Sequence, residues 1–362
     1  MHNRELGGKM KIAIIGGGNI GTLMAAEFAF RGHDVKIYSR RPVDWSDAIE
    51  VYDADDNFLF CSSNITVCSE LVETICDAEL IWITTPASTF NEFASRLEPI
   101  VNKRQILCVV PGLGGAEFAF YNLIKKGIML LGMQRVHSIA RLKKYGHSVY
   151  MLGRKDNLHI ATIPASEARR YQEVIENLFS ITTMTLPNYL NITLTPSNPI
   201  LHTTRLYSLF HAKQVDYEYT DNPLFYESWD DESSEIMLKC DNELINICSK
   251  IPLDISGVKP LSIYYESDNV EAMTSKISSI KAFKGLLSPM CKSENGWKID
   301  WNSRYFTTDF SFGLKILIDI AKMFEIKTPE MNKVWEWYSS IGIMESVFQM
   351  PVDKEQFIKC YR

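Results

Sequence analysis

A glycine-rich segment near the start of the chain constrains its fold more than any other feature. Residues 11–15 are apolar enough for a buried strand, and Gly16, Gly18 and Gly21 follow at once in the spacing G-x-G-x-x-G. The first glycine allows a tight turn, the second lets backbone approach a pyrophosphate, and the third lets helix and strand pack closely. This pattern predicts a dinucleotide-binding turn.

The residues after these glycines complete a strand–helix–strand unit. An amphipathic run over residues 22–30 predicts a helix, Gly32 ends it, and residues 35–38 predict the second strand. The start of that helix offers free N–H groups and a positive dipole end to phosphates, so Asn19 and Ile20 join the three glycines as candidate cofactor contacts. The alternative is a glycine-rich turn in an ordinary βαβ unit.

The end of the second predicted strand bears on the choice of nucleotide. An NAD site needs a carboxylate there to accept hydrogen bonds from the ribose hydroxyls, but this chain has Ser39 followed by Arg40 and Arg41. A serine and two guanidinium groups suit a 2′-phosphate, which arginine binds in a bidentate manner. The sequence therefore favours NADP over NAD, unless both arginines are solvated loop residues.

Length and composition limit the remaining possibilities. A chain of 362 residues is too long for one mononucleotide fold, so two domains are expected, and its net charge of −6 argues against general nucleic-acid binding. The eight cysteines form no C-x-x-C pair, which predicts reduced thiols in a cytoplasmic protein without a metal site. We expect no membrane span and no signal peptide, and residues 1–9 are expected to be a loose extension.

Two further loops follow predicted strands of the first half. Residues 79–83 predict a strand that ends in a Thr-Thr-Pro loop, where Thr85 and Pro86 are candidate cofactor contacts, because ligands bind at the carboxyl edge of open α/β sheets. The glycines of residues 111–115 repeat this arrangement, although either loop alone is equally consistent with a plain turn. Residues 148–154 and 159–163 predict a β-hairpin.

The second half changes character near residue 190, where we place the domain boundary. Strand patterns largely vanish, and helical patterns run over residues 199–212, 232–249, 272–280, 309–324 and 329–341. The predicted fold is therefore α/β: a Rossmann-type NAD(P)-binding domain over residues 1–190, followed by a mostly α-helical substrate and catalytic domain over residues 191–362.

Two stretches of the second half carry candidate chemistry. His202 falls one turn into the first helix after the predicted boundary, and an imidazole there suits acid–base catalysis, although a helical histidine is more often structural. Arg304 and Asp309 flank an aromatic, threonine-rich segment at the start of a later helix. Asp309 has an alternative explanation as a complement to the helix dipole, and Arg304 as its ion-pair partner.

Five motifs, in this order along the chain, resemble the opine dehydrogenases of the octopine/nopaline dehydrogenase family. The motifs are GGGNIG, VVPGLGG, QRVHSIAR, NPILH and RYFTTDFSFGL. The combination of NPILH with R-Y-x-x-x-D is the most specific part of this resemblance, which covers about Lys11 to Trp337. It implies an enzyme that condenses an amino acid with a 2-oxo acid, such as pyruvate, and reduces the imine with NAD(P)H.

The resemblance also implies roles for individual residues. His202 matches the family's catalytic histidine, Asp309 its acidic partner, and Arg304 the arginine that holds the oxo-acid carboxylate. The chain departs from the family after the histidine, where Thr203 replaces a common proline. Arg205, three residues after His202, either binds a second carboxylate or lies on the surface, and we favour the surface position.

Two other functions remain open from the sequence. A 2-oxo-acid reductase similar to ketopantoate reductase would share the cofactor and the oxo acid but need no amine. A non-catalytic NADP-sensing regulator would bind the cofactor without turnover. A homodimer is a further expectation, and neither the amino acid nor the 2-oxo acid follows from the residues.

Overall fold

The structure is a computed structural model that describes residues 8–342 and 353–362. The loose extension predicted for residues 1–9 falls mostly outside this range. Within the described part of the chain, no helix combines the length and apolar character that crossing a membrane requires. All eight cysteines are unpaired.

The chain divides into two compact units. One extends to Thr193 and includes Lys359–Arg362, and the other spans Leu194–Ile358. This division lies three residues after the boundary predicted near residue 190. The last four residues, which the sequence assigned to the second domain, belong to the first unit.

The first unit contains two β-sheets and short connecting helices. Its strands are β1 (Lys11–Ile15), β2 (Asp34–Tyr38), β3 (Ala48–Tyr52), β4 (Phe58–Ser63), β5 (Ile65–Cys68), β6 (Leu80–Ile83), β7 (Ile106–Val109), β8 (Met129–Met133), β9 (Ser138–Lys144), β10 (Ser148–Arg154), β11 (Asn157–Ile163) and β12 (Thr182–Thr185). Its helices are α1 (Asn19–Phe30), α2 (Leu71–Ile75), α3 (Phe90–Leu97), α4 (Ala116–Ala119), α5 (Tyr121–Lys125), α6 (Ala168–Phe179) and α7 (Leu190–Thr193).

The larger sheet has the strand order β12-β11-β8-β7-β6-β1-β2-β5. From β5 to β8 all neighbouring strands are parallel, whereas β11 pairs antiparallel with β8. The chain leaves β1 first toward β2 and later toward β6, so the strand order switches direction at β1. This confirms the Rossmann-type prediction, because open parallel sheets bind nucleotides at such a switch point.

Helix α1 lies between the two sheets, which explains why its residues 21–28 are all buried. Met24 and Phe28 pack on the larger sheet, while Leu23 and Ala26 pack on the smaller sheet, whose strand order is β4-β3-β10-β9. The helix begins at Asn19, three residues before its predicted start. A helix covered on two faces has no solvent stripe and is apolar nearly all round.

One carboxylate on the buried helix is held by partners on and next to the smaller sheet. Glu27 is 4% exposed; its Oε2 lies 2.6 Å from His137 Nε2, and its Oε1 accepts from Arg154. Burial alone would raise the pKa of the Glu27 carboxyl, but the hydrogen bonds from His137 and Arg154 lower it below its ordinary value. His137, in the QRVHSIAR motif, therefore has a structural role in the first unit.

The hairpin predicted for residues 148–154 and 159–163 is wrong. Strand β10 pairs with β3 and β9 in the smaller sheet, whereas β11 pairs with β8 and β12 in the larger one. Lys155 and Asp156 thus connect two sheets instead of forming a turn between paired strands. The alternating pattern identifies strands correctly, but it does not encode their partners.

The second unit is mostly helical, as predicted, and its helices surround α9. The helices that begin in it are α8 (Thr203–Phe210), α9 (Asp231–Lys250), α10 (Leu261–Tyr264), α11 (Val270–Ser278), α12 (Arg304–Thr307), α13 (Lys315–Met323), α14 (Pro329–Ser340) and α15 (Lys354–Lys359). Helices α8, α10, α11, α13 and α14 all pack against α9. A hairpin of β13 (Met290–Lys292) and β14 (Trp297–Ile299) was not predicted.

A buried carboxyl group joins the end of the chain to the first unit. Glu117 on α4 is 3% exposed; its Oε1 accepts from Thr193 and, at 2.8 Å, from the Tyr361 hydroxyl. Burial raises the pKa of Glu117 to about 7, although both of these hydrogen bonds act to lower it. A buried carboxyl group of this kind stabilises the fold best in its neutral form.

The titration of Glu117 should make stability depend on pH. Because the folded pKa of about 7 exceeds the ordinary value of 4.5, its stabilising contribution is complete below pH 4.5 and is lost as the pH rises toward 7. Glu117→Gln keeps the shape without titrating. The free energy of urea unfolding of this variant, relative to the unmodified protein, should therefore rise by about 3 kcal/mol from pH 4.5 to 8.

The matched control is Glu70→Gln, which removes the same charge from an exposed position. Its unfolding free energy, relative to the unmodified protein, should change little across that pH range. If the difference in unfolding free energy between Glu117→Gln and the unmodified protein does not change with pH, the Glu117 carboxyl group does not titrate in this range.

Candidate active site

The turn after β1 can be formed only by glycine at two positions. Gly16 has a φ of +121°, a conformation that residues with a side chain rarely adopt. A Cβ atom at Gly21 would lie 1.8 Å from the Gly16 carbonyl oxygen. The first turn of α1 therefore packs directly on the end of β1, as a dinucleotide-binding turn requires.

The start of α1 is open toward a ligand. Gly18 precedes the helix, no side chain in the described residues caps it, and nothing described lies within 4 Å of a Cβ position there. The free N–H groups and this open space fit a pyrophosphate. The Asn19 side chain accepts from the Leu142 N–H at 2.9 Å, and Ile20 is partly buried, so these two residues offer backbone and not side-chain contacts.

The loop after β6 lies beside this turn, because β6 is the neighbour of β1. Thr84 donates from its hydroxyl to the Gly16 carbonyl oxygen at 3.0 Å. The predicted contacts Thr85 and Pro86 follow, and Thr89 donates to the Thr85 hydroxyl at 2.8 Å. Thr84, which sequence reasoning did not single out, thus joins the two loops at the carboxyl edge of the sheet.

Ser39 differs in exposure from the two arginines that follow it. The Ser39 hydroxyl is buried and accepts from Trp45 Nε1 at 3.1 Å and from the Arg41 N–H at 3.1 Å, and it lies 2.9 Å from the Tyr145 hydroxyl. These contacts use its hydrogen-bonding capacity. Arg41 lies over the Tyr145 ring at 4.2 Å, and Arg40 is exposed. The exposed cationic groups at the carboxyl end of β2 are therefore the guanidinium groups of Arg40 and Arg41.

In the second unit, His202 and Asp309 form a buried pair. Asp309 Oδ2 lies 2.8 Å from His202 Nδ1, and each residue is 8% exposed. A carboxylate only accepts hydrogen bonds, so Nδ1 carries a proton and Nε2 is the nitrogen that gains or loses one. This arrangement orients a general acid or base. It also removes the alternative that Asp309 is simply an ion-pair partner of Arg304.

Two sequence motifs position this pair by packing on each other. His202 ends a π-helical turn, Ser197–His202, and Asp309 immediately precedes another, Phe310–Leu314. A Cβ atom at Gly313 would lie 3.2 Å from the Pro199 ring, so glycine allows the turns to approach closely. Such turns are frequent at functional sites.

The other nitrogen of His202 has a partner that sequence reasoning missed. The Tyr226 hydroxyl lies 2.9 Å from His202 Nε2, and Tyr226 is 5% exposed. The Tyr305 ring packs 4.7 Å from the imidazole, centroid to centroid. Tyr226 belongs to no recognisable motif, so nothing in its immediate sequence predicts this contact.

Arg304 is the exposed cation of this site. It begins α12, and its guanidinium lies 5.8 Å from the Tyr305 ring centroid, beside the ring that packs on His202. In the described part of the chain Arg304 forms no salt bridge, so its guanidinium is available to a carboxylate ligand.

The surface position that we favoured for Arg205 is wrong. Arg205 is fully buried and donates to the carbonyl oxygens of Phe225 and Ser228 and to the Asp230 carboxylate, the last at 3.0 Å. A buried guanidinium needs several acceptors, and here the backbone supplies two of them. Arg205 is thus a structural residue that holds the segment around Tyr226.

The described residues contain no group of three His, Cys, Asp or Glu side chains that could hold a metal ion. The chemistry that they do place together is an acid–base pair and a free guanidinium in one unit, and a nucleotide-binding turn in the other. These are the parts that a nicotinamide-dependent reaction of a carboxylate substrate needs.

Two segments of the chain match described protein families. Residues 11–153 match the NAD-dependent glycerol-3-phosphate dehydrogenase N-terminus. Residues 185–342 match the family described as NAD/NADP octopine/nopaline dehydrogenase, alpha-helical domain. The second match includes the NPILH and RYFTTDFSFGL motifs, and hence the His202–Asp309 pair.

Individual relatives and a solved structure extend these matches over most of the chain. Tauropine dehydrogenase of Arabella iricolor is 26% identical over 286 residues, covering 72% of this chain and 70% of that protein. Opine dehydrogenase of Arthrobacter sp. (strain 1C) is 23% identical over 338 residues, covering 91% and 90%. The structure of octopine dehydrogenase in complex with NADH and agmatine has the same fold, with a TM-score of 0.79 at 19% identity over 94% of this chain and 92% of that one.

The two segment matches, the relatives and the shared fold agree with the motifs and with the geometry of both units. The chain is similar to the octopine/nopaline dehydrogenase family, whose helical-domain model matches residues 185–342, and it is an NAD(P)-dependent oxidoreductase acting on CH–NH bonds.

Proposed function

We propose that this enzyme is an opine dehydrogenase that joins an amino acid to a 2-oxo acid. The amine attacks the oxo carbon, water leaves, and the resulting imine is reduced to an N-(carboxyalkyl)amino acid. The observation that carries the proposal is the buried His202–Asp309 pair, with Arg304 beside it, in the unit that matches the family's helical domain. Relatives named opine and tauropine dehydrogenase support it.

The residues of the second unit divide the chemistry among themselves. Asp309 accepts from His202 Nδ1, which fixes the tautomer and stabilises the imidazolium, so that His202 supplies the proton that the departing oxygen needs. The Arg304 guanidinium binds the oxo-acid carboxylate and orients its carbonyl carbon. When bound, NAD(P)H supplies the hydride.

A substrate screen tests the reaction type. NADPH oxidation should require both an amino acid and a 2-oxo acid, with pyruvate, 2-oxoglutarate and glyoxylate as the oxo acids to combine with each amino acid. Oxidation with an oxo acid alone, at the same rate with or without amine, would instead support a 2-oxo-acid reductase. Cofactor binding without turnover in any combination would support a regulator.

The catalytic pair makes a sharp prediction for kcat. His202→Ala should lower kcat by about 10²–10⁴ while the Kd for NADPH stays unchanged, because it removes acid catalysis and leaves the first unit intact. Asp309→Asn keeps the shape without the charge and should also lower kcat. Since the two residues act as one unit, the double variant should be little worse than the worse single variant.

His211→Ala provides the control for this pair. His211 lies in the same helical region, where its Nδ1 contacts the Tyr207 carbonyl and its ring stacks on Tyr207. Its replacement should leave kcat close to normal. A His202→Ala enzyme with a normal kcat would remove His202 from the mechanism.

We propose that NADP is the preferred cofactor. Arg40 and Arg41 are both exposed at the carboxyl end of β2, and Arg41 already contacts Tyr145 and, at 3.4 Å, Asp44. Arg40 has no salt bridge among the described residues, so its guanidinium is free for a 2′-phosphate.

Arg40→Ala should therefore separate the two cofactors. The KM for NADPH should rise about tenfold, the effect of losing one exposed charge-assisted hydrogen bond, while the KM for NADH should barely change. The control is Arg104→Ala, an exposed arginine before β7 and hence at the opposite edge of the parallel sheet. Equal effects of Arg40→Ala on both cofactors would contradict NADP preference.

We also propose a cytoplasmic location, which the eight unpaired cysteines support. Light scattering of the purified protein would test the homodimer that we expect from the sequence.

A further inference from the structure

Both ring nitrogens of His202 are occupied by protein groups. Asp309 takes Nδ1 at 2.8 Å, and the Tyr226 hydroxyl takes Nε2 at 2.9 Å. In neutral His202, Nε2 accepts from the Tyr226 hydroxyl; in the imidazolium, Nε2–H donates to the Tyr226 oxygen. In neither state does His202 keep a free N–H for a substrate oxygen.

Tyr226 is held firmly in this position. Its ring stacks on Phe283 at a centroid distance of 4.2 Å. The buried Arg205 donates to the carbonyl oxygens of Phe225 and Ser228, which bracket Tyr226 in sequence. Because Arg205 lies one helical turn after His202, the helix that carries the imidazole also fixes the segment that carries the hydroxyl.

The surroundings of Tyr226 keep its hydroxyl protonated. Burial raises the pKa of Tyr226 well above its ordinary value, and Tyr305, Tyr265 and Asp309 raise it further, whereas Arg304 lowers it. A separate phenolate is therefore unfavourable here. The hydroxyl gives up its proton only if it receives another at the same time.

We propose that Tyr226 is the catalytic residue that hands a proton to the departing substrate oxygen, and that His202 resupplies it. In one step the Tyr226 O–H bond breaks as the substrate oxygen takes that proton, and the His202 Nε2–H bond breaks as the Tyr226 oxygen takes the other. The oxygen leaves as water, Tyr226 is again a neutral hydroxyl, His202 becomes neutral, and Asp309 keeps its charge. This relay rests on the proposed function, which supplies the departing oxygen.

The kinetic test is Tyr226→Phe, which removes the hydroxyl and keeps the stacked ring. We expect kcat to fall by about 10²–10⁴ with an unchanged Kd for NADPH. The control is Tyr219→Phe, because the Tyr219 hydroxyl is buried without a hydrogen-bond partner among the described residues. A Tyr226→Phe enzyme as active as the control would overturn the relay, since His202 would then donate directly.

A second measurement does not depend on turnover. In NMR spectra of protein labelled with ¹⁵N-histidine, the His202 signals, identified by their loss in His202→Ala, should show a protonated Nδ1. Tyr226→Phe should shift the Nε2 resonance, whereas Tyr219→Phe should leave it in place. An unmoved Nε2 resonance in Tyr226→Phe would show that the hydrogen bond is absent and overturn the relay.

The order of the relay has its own test. The double variant His202→Ala/Tyr226→Phe should be little slower than the slower single variant, because the two residues pass one proton in series. Losses that multiply would overturn the series arrangement. If the unmodified enzyme reduces an oxo acid without amine, no oxygen leaves the substrate, so the proposed function and the relay both fail, as they do if no combination of substrates gives turnover. If turnover requires the amine and Tyr226→Phe is as active as Tyr219→Phe, the relay alone fails.

Discussion

The second unit depends on one hydrogen bond, between the His202 imidazole and the Asp309 carboxylate. The two residues are 107 positions apart, and both are nearly buried. A buried carboxylate without a partner would lower the stability of the fold, so the two helical segments must pack in the one alignment that brings Asp309 to His202. The contact of Gly313 with Pro199 makes that meeting close enough. The contacts that hold the proposed catalytic pair are therefore also core contacts of this unit.

The first unit solves a similar problem without catalysis. Helix α1 packs against a sheet on each of two faces, yet it carries the carboxylate of Glu27, which is therefore buried. His137 and Arg154 supply two cationic or polar partners, so the carboxylate stays ionised inside the protein. These bonds link the nucleotide-binding helix to strand β10 and to the residue that precedes β9. The smaller sheet also contacts the start of this helix, where the Leu142 N–H of β9 donates to the Asn19 side chain.

The sequence predicted features that are encoded locally. The strand, glycine turn and helix at residues 11–30 follow from adjacent residues, since their period and spacing are visible in one short stretch. The contact of His202 with Asp309 was anticipated only through resemblance to a family, because nothing local joins residues that far apart. Their catalytic roles remain predictions.

The incorrect predictions and the missed contact share one cause: each depends on backbone groups that lie far away in the sequence. Strand β10 was predicted to form a hairpin with the strand that follows it, but it pairs with β3 and β9 in the smaller sheet, and its own residues do not specify those partners. Arg205 reads as a surface residue because its acceptors are carbonyl oxygens of Phe225 and Ser228, and every residue type carries a carbonyl. Tyr226 was missed because its role follows from where Arg205 holds it.

The return of Lys359–Arg362 to the first unit has a consequence for synthesis. Ribosomes make the strands of that unit early, but the hydroxyl of Tyr361 that contacts Glu117 follows more than 160 residues after Thr193. Until then the buried carboxyl group has one of its two side-chain donors. The nascent first unit therefore lacks one hydrogen bond to the buried carboxyl group of Glu117 until the whole second unit has been translated.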